Sequence, residues 1–222
     1  MTLPASALTS RANVKQYLSI TDASQDALLE NLIRRASFWF EARTGRRFLK
    51  QTYTNELHDG GRDIIFLDNF PVIPGSLTSF QFRTGTLANP IFQDFQTNDF
   101  ILIPEGGYIE ILQGFRVTLS GRAITDAKFR GVQNIRATYD AGFLIDFNFP
   151  DDTAKHTLPL DIEDFVIRLV GRRFNKRKAE GVASESVEGA SITWTNPTSD
   201  MLSDDDKAIL KKYERKQVAS TI

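Results

Sequence analysis

The chain has 222 residues, 41% hydrophobic and 25% charged, with a formal net charge of −1. That size and balance suit a folded chain with a real core rather than a disordered one, and near-neutrality supplies no long-range field for drawing in nucleic acid. The absence of cysteine excludes disulfides, thiolate metal centres and a cysteine nucleophile. Met1 to Ser10 carries neither a basic nor an apolar leader pattern, and no run of about 18 apolar residues is present, so no signal peptide and no membrane helix are expected.

The first periodic segment runs from about Ser10 to Leu18, with Val14, Tyr17 and Leu18 on one helical face and Thr9 or Ser10 as its cap. A stronger helix is expected over 22–44. Asp22 and Gln25 form its capping box, Leu29, Leu32, Ile33, Ala36 and Phe40 its stripe, and Gly45 its left-handed stop. From about Lys50 to Phe143 the period changes to two. Gln51–His58, Ile64–Leu67, Leu77–Arg83, Phe100–Ile103, Tyr108–Leu112, Phe115–Leu119 and Val132–Tyr139 read as short strands. Gly60-Gly61 and Gly106-Gly107 read as hairpin turns between them. Helical spacing returns at Leu160 to Phe174 through Ile162, Phe165, Val166, Leu169, Val170 and Phe174. Ala179 to Ser199 is a polar arm with one strand-like piece, Ser191–Thr195. Ser203 then caps a last helix over about 204–217.

The expected fold is α+β: a helical base of two N-terminal helices and a third after an inserted antiparallel β domain, followed by an extended C-terminal arm ending in a helix. The expected boundaries are 1–48 with 157–178 for the base, 49–146 for the insertion and 179–222 for the arm.

No familiar catalytic arrangement stands out. His58 and His156 are far apart in sequence and lack metal-ligand spacing. His58 reads as an exposed turn residue and His156 as a polar-loop residue. Asp59, Asp63 and Asp68 flank the first predicted hairpin, but their spacing is not that of a calcium loop. Gly-rich phosphate loops and a Gly-x-Ser-x-Gly elbow are missing. No enzyme activity, cofactor or metal is therefore assigned. The basic run Arg172, Arg173, Lys176, Arg177 and Lys178 suits either a helix C-terminus or contact with phosphates or an acidic partner. The arm carries scattered apolar anchors, Ile192, Trp194, Met201, Leu202, Ile209, Leu210 and Tyr213, a pattern suited to clipping onto a portal or a neighbouring subunit. On this reading, removing residues after about 190 leaves the domain folded and abolishes assembly.

Three stretches carry a resemblance. Val14-Lys15-Gln16-Tyr17-Leu18 leads through Asp26-Ala27-Leu28-Leu29 to Thr44-Gly45-Arg46. Ala137-Thr138-Tyr139-Asp140-Ala141-Gly142-Phe143 precedes Pro159-Leu160-Asp161-Ile162-Glu163. Arg172-Arg173-Phe174-Asn175-Lys176-Arg177 precedes Gly181-Val182-Ala183-Ser184-Glu185-Ser186. Together they resemble the head-tail connector (adaptor) proteins of tailed bacteriophages. The β region between about 50 and 130 looks larger than in compact members of that family.

The resemblance implies a virion neck protein made in the host cytoplasm. It implies a homo-oligomeric ring, in that family a dodecamer, with a portal protein on one side and a stopper or tail-completion protein on the other. DNA would pass through the lumen without sequence-specific binding, and no membrane is involved. Two other readings stand beside it. One is a stopper or tail terminator built on the β region. The other is a carbohydrate-binding module using Tyr53, Phe70, Phe92 and Phe95 as stacking platforms.

Overall fold

The computed structural model describes residues 3–84, 88–112, 116–119, 122–125, 131–177, 184–187, 190–193 and 202–215; within 116–119, 122–125, 184–187 and 190–193 it describes the backbone alone. Trp194, Met201 and Lys178 lie outside the described residues. The fold is mixed α+β and divides into two units: 1–48 with 144–214, and 49–143 with 215–222.

The first unit is helical. α1 (Arg11–Tyr17) begins where the Ser10 side chain accepts from the Asn13 N–H at 3.0 Å. α2 (Asp26–Thr44) starts four residues later than the sequence reading placed it. The Asp22 carboxylate accepts from the N–H and hydroxyl of Ser24, closing a local turn instead of capping a helix. Lys15 donates to the Asp22 carbonyl at 2.6 Å and to the Asp26 carboxylate at 2.8 Å, tying α1 to the true start of α2. Gly45 ends α2 with φ of 71°, the left-handed geometry that glycine adopts without a Cβ clash.

α3 (Leu160–Lys176) turns Ile162, Phe165, Val166, Leu169 and Val170 inward. These residues meet Leu29, Ile33, Ala36 and Phe40 of α2 in a region closed to solvent. Phe40 centres an aromatic group, 5.0 Å from Phe165 and 5.1 Å from Phe48 between ring centroids.

α4 (Asp204–Tyr213) packs on α2 and α3 of the same unit. Its N-terminus is a reciprocal capping box between Ser203 and Asp206. The narrow apolar stripe read in the sequence thus meets its own chain. Truncation after about 190 would therefore remove a helix that packs on α2 and α3. Between α3 and α4, β10 (Ser184–Val187) and β11 (Ala190–Thr193) form an antiparallel hairpin, so the strand-like piece of the arm finds a local partner.

The second unit is antiparallel β. A four-stranded sheet runs β1 (Gln51–His58), β9 (Ile135–Ala141), β3 (Ser79–Arg83), β4 (Phe92–Asp94). A three-stranded sheet runs β2 (Ile64–Phe66), β6 (Tyr108–Ile111), β5 (Phe100–Ile103). β7 (Arg116–Leu119) pairs with β8 (Arg122–Thr125).

The Gly106-Gly107 hairpin forms as read, joining β5 to β6. The Gly60-Gly61 hairpin does not. β1 pairs with β9 and β2 with β6, because the Gly60 N–H is taken by the Gly131 carbonyl and the Asn134 side chain, which lead into β9. A register shift between Tyr53 and Glu56, with Asn55 at φ of 55°, marks a bulge in β1. The core of this unit comprises Ile65, Leu67, Val72, Phe80, Phe82, Phe95, Ile109, Ile135 and Tyr139.

Candidate functional site

Two polar constellations stand out, one in each unit. The first fixes α4. Asp206 is 1% exposed and its two oxygens face two guanidiniums of α3: Arg172 at 2.6 Å and Arg168 at 3.1 Å. Burial opposes ionisation of Asp206, but the two arginines and the Ser203 cap outweigh it and hold its carboxyl below the ordinary aspartate range. At the other end of the helix, the Tyr213 hydroxyl donates to Asp161 at 2.8 Å and Lys212 donates to its second oxygen at 2.7 Å. Burial again works against the charge on Asp161, and these two donors bring its carboxyl below the ordinary range.

The residues read as partner contacts distribute unevenly. Leu210 and Tyr213 are buried inside the helical unit, with the Tyr213 ring 6.1 Å from Phe48. Leu202 and Ile209 are half-buried. Ile192 lies on β11, described as backbone. Within the basic run, Arg172 is engaged with Asp206. Arg177 lies over the ring of Phe174 at 3.6 Å and donates to its carbonyl. Lys176 is half-buried on the last turn. Burial and the neighbouring Arg35 lower the basicity of Arg173. The run is thus drawn partly into the chain's own structure.

The second constellation lies in the β unit and sequence reading missed it. The His58 side chain ends β1 and is only 8% exposed, not the exposed turn residue expected. The alternation of β1 accounts for this, because the residues two apart, Glu56 and His58, share one face. Tyr139, on the paired strand β9, sends its hydroxyl to Glu56 Oε1 at 2.7 Å, and the Asp68 N–H donates to the same oxygen at 3.0 Å. The Asn69 N–H donates in turn to the Tyr139 hydroxyl at 3.3 Å. His58 Nε2 lies 2.9 Å from Glu56 Oε1. The Asp68 carboxylate meets the Arg215 guanidinium.

Burial pushes Glu56 up, but contact with His58 and the hydrogen bonds from Asp68 and Tyr139 leave its carboxyl below the usual glutamate range. Asp68 moves the other way, raised by burial and by the charge of Glu56, with Arg215 offsetting only part. Burial, then the charge of Glu56, raises the Tyr139 hydroxyl far above its ordinary value.

His156 lies in the loop read for it, and there its side chain is buried. Its Nδ1 accepts from the Asp146 N–H at 3.2 Å, and its ring lies 5.0 Å from Phe147. The aromatic platforms imagined for a sugar are largely core. Phe70 and Phe95 are buried, Tyr53 stacks on Tyr139 at 5.4 Å, and Phe92 is covered by Arg136 at 3.9 Å.

Residues 12–66 match the model of the family described as phage gp6-like head-tail connector protein, the family that the sequence resembles. The match spans α1, α2, β1 and β2; the later stretches of the resemblance, from Ala137 onward, fall outside it. Among solved structures, a chain from the neck of an empty GTA particle computed with C6 symmetry is 16% identical over 99% of this chain and 95% of that one, with a TM-score of 0.49. A chain of the virion of the native gene transfer agent (GTA) particle gives the same values. No curated protein matches the chain.

Proposed function

We propose that this chain is a head-tail connector of the gp6-like kind: a structural adaptor in the neck of a tailed phage or phage-like particle, working as one subunit of a ring. The observation that carries this reading is the family match over residues 12–66, which holds the two N-terminal helices and the first strands. The ring, a dodecamer by family resemblance, docks beneath the portal, presents its far side to a stopper or tail-completion protein, and lets DNA pass through its lumen. A net charge of −1 fits a channel that must not grip its passing polyanion. Head-to-tail contacts that close by rotation generate such a ring.

The buried ties described above suit a part whose task is to hold shape. With Leu210 and Tyr213 buried in the helical unit, the partner-facing role in this reading falls to Ile192, Trp194, Met201, Leu202 and Ile209. Arg173, Lys176, Arg177 and Lys178 supply cations for an acidic neighbour or for phosphates.

The test is a pull-down of the tagged full chain from cells producing the parent particle, read by mass spectrometry, with the purified chain sized by native mass spectrometry. Recovery of a portal and a stopper together supports the adaptor. Recovery of tail-tube proteins alone moves the chain down the tail, as a terminator, and overturns it.

A further inference from the structure

We propose that Glu56, His58 and Asp68 form a binding site for a divalent transition cation of the zinc type. One ligand atom from each residue lies within 4.8 Å of the other two. Ligands about 2.1 Å from a tetrahedral ion stand about 3.5 Å apart, so modest side-chain rotations close the set around one ion. Imidazole nitrogen with two carboxylates is a donor set for zinc or a neighbouring first-row ion, not for magnesium, which prefers oxygen alone and keeps its waters.

The imidazole itself points to a ligand. The His58 side chain is 8% exposed, and its Nε2 is shut off from solvent. That atom sits 2.9 Å from Glu56 Oε1 yet makes no aligned hydrogen bond. A buried ring nitrogen without an aligned bond is costly, and a metal ion satisfies its lone pair directly.

The surroundings resemble the outer support that fixes metal ligands. The Tyr139 hydroxyl and the Asp68 N–H both donate to Glu56 Oε1, which orients the carboxylate and leaves Oε2 outside those bonds. Tyr139 is fully buried and held in turn by the Asn69 N–H, so the orientation is rigid. Asp68 also meets Arg215, and an incoming dication competes with that guanidinium for the carboxylate. Bound there, an ion would join β1 to the segment following β2, two stretches that do not pair as strands.

The experiment is calorimetric titration of the full chain, stripped with chelator, against zinc chloride, with magnesium chloride as a parallel arm. The same sample is followed by histidine-selective nuclear magnetic resonance. The chain has only two histidines, so His58 and His156 can be resolved. The proposal expects one zinc per chain, a shift of the His58 ring nitrogens with His156 unmoved, no binding of magnesium, and at least a ten-fold weaker Kd in His58→Ala. Asp68→Asn serves as the second variant should His58→Ala fail to fold, with the same ten-fold loss expected. Zinc that shifts only His156, that binds both variants as well as the parent, or that fails to bind at millimolar concentration overturns the site.

Discussion

The helical unit buries acidic side chains and the β unit half-buries two, Glu56 and Asp68, and they treat them differently. In the helical unit each buried acid stands alone among donors. Glu163 accepts from Thr9 at 3.0 Å and Asn13 at 2.6 Å, Glu41 from Arg47 and the Phe48 N–H, and Asp206 from two arginines and its own cap. Glu163 and Asp206 tie segments far apart along the chain, and Glu41 ties α2 to the residues just past its end. In the β unit two acids, Glu56 and Asp68, are gathered together with a histidine, so that the charge of one raises the other. An acid met by donors holds a fold together. Acids drawn close to each other accept a cost that folding alone does not require, and such a place is where a ligand is worth seeking.

Four substitutions test that contrast, beginning with the largest effect. Phe165→Asp places a charge in the aromatic centre of the helical unit and is expected to unfold that unit. The loss would appear as a collapse of helical circular dichroism at 25 °C, and a cooperative melt like that of the parent would contradict the placement.

Asp206→Ala removes a buried acid that the structure does satisfy. Hydrogen bonds to charged groups suggest a cost of about 2–3 kcal/mol, read by chemical denaturation and by faster amide exchange in α4. The same contact predicts a pH response. Because the folded carboxyl is held below its ordinary value, its stabilisation is complete above about pH 4, the unfolded aspartate range. It is lost as pH falls through the depressed folded value. Exchange in α4 should therefore quicken on acidification in the parent and lose that component in Asp206→Ala.

In the β unit, Gly107→Ala asks for a Cβ 2.5 Å from the Cβ of Phe70 at a φ of +64°. Overpacking of this kind costs about 1–3 kcal/mol, visible as a lowered denaturation midpoint. Tyr213→Phe is the mildest. It removes one hydroxyl from Asp161 while Lys212 remains, for about 0.5–1.5 kcal/mol. A larger loss in a denaturation curve would mean that the hydroxyl, not the ring against Phe48, holds the end of α4.

What could be read beforehand follows from the range of the interactions. Helix faces come from neighbours three and four residues apart, so Ile33, Phe40, Phe165 and Leu169 were legible, as were the Ser203 cap and the Gly45 stop. The Gly106-Gly107 hairpin was equally local. The partner of β1 was not. It lies some eighty residues away in β9, and the Gly60-Gly61 pair imitates a hairpin while its N–H goes elsewhere. Asp22 misled for a related reason, since a nearby serine took the carboxylate before a helix end could. The acid–histidine cluster was invisible because Asp68 and Tyr139 reach Glu56 only after the sheets form. Alternation along β1 did put Glu56 and His58 on one face, and that signal was available.

The divided course of the helical unit also sets an order of events at the ribosome. α2 ends at Thr44 and α3 does not begin until Leu160. At about 10 residues per second, the apolar faces of α1 and α2 wait about ten seconds for the helix that covers them. Residues 49–143 of the β unit, whose ends meet where Leu49 bridges Phe143, are synthesised within that interval. The nascent chain therefore presents Ile33 and Phe40 uncovered while the β unit is emerging, and a chaperone that arrests synthesis-coupled aggregation would find its client in the first fifty residues.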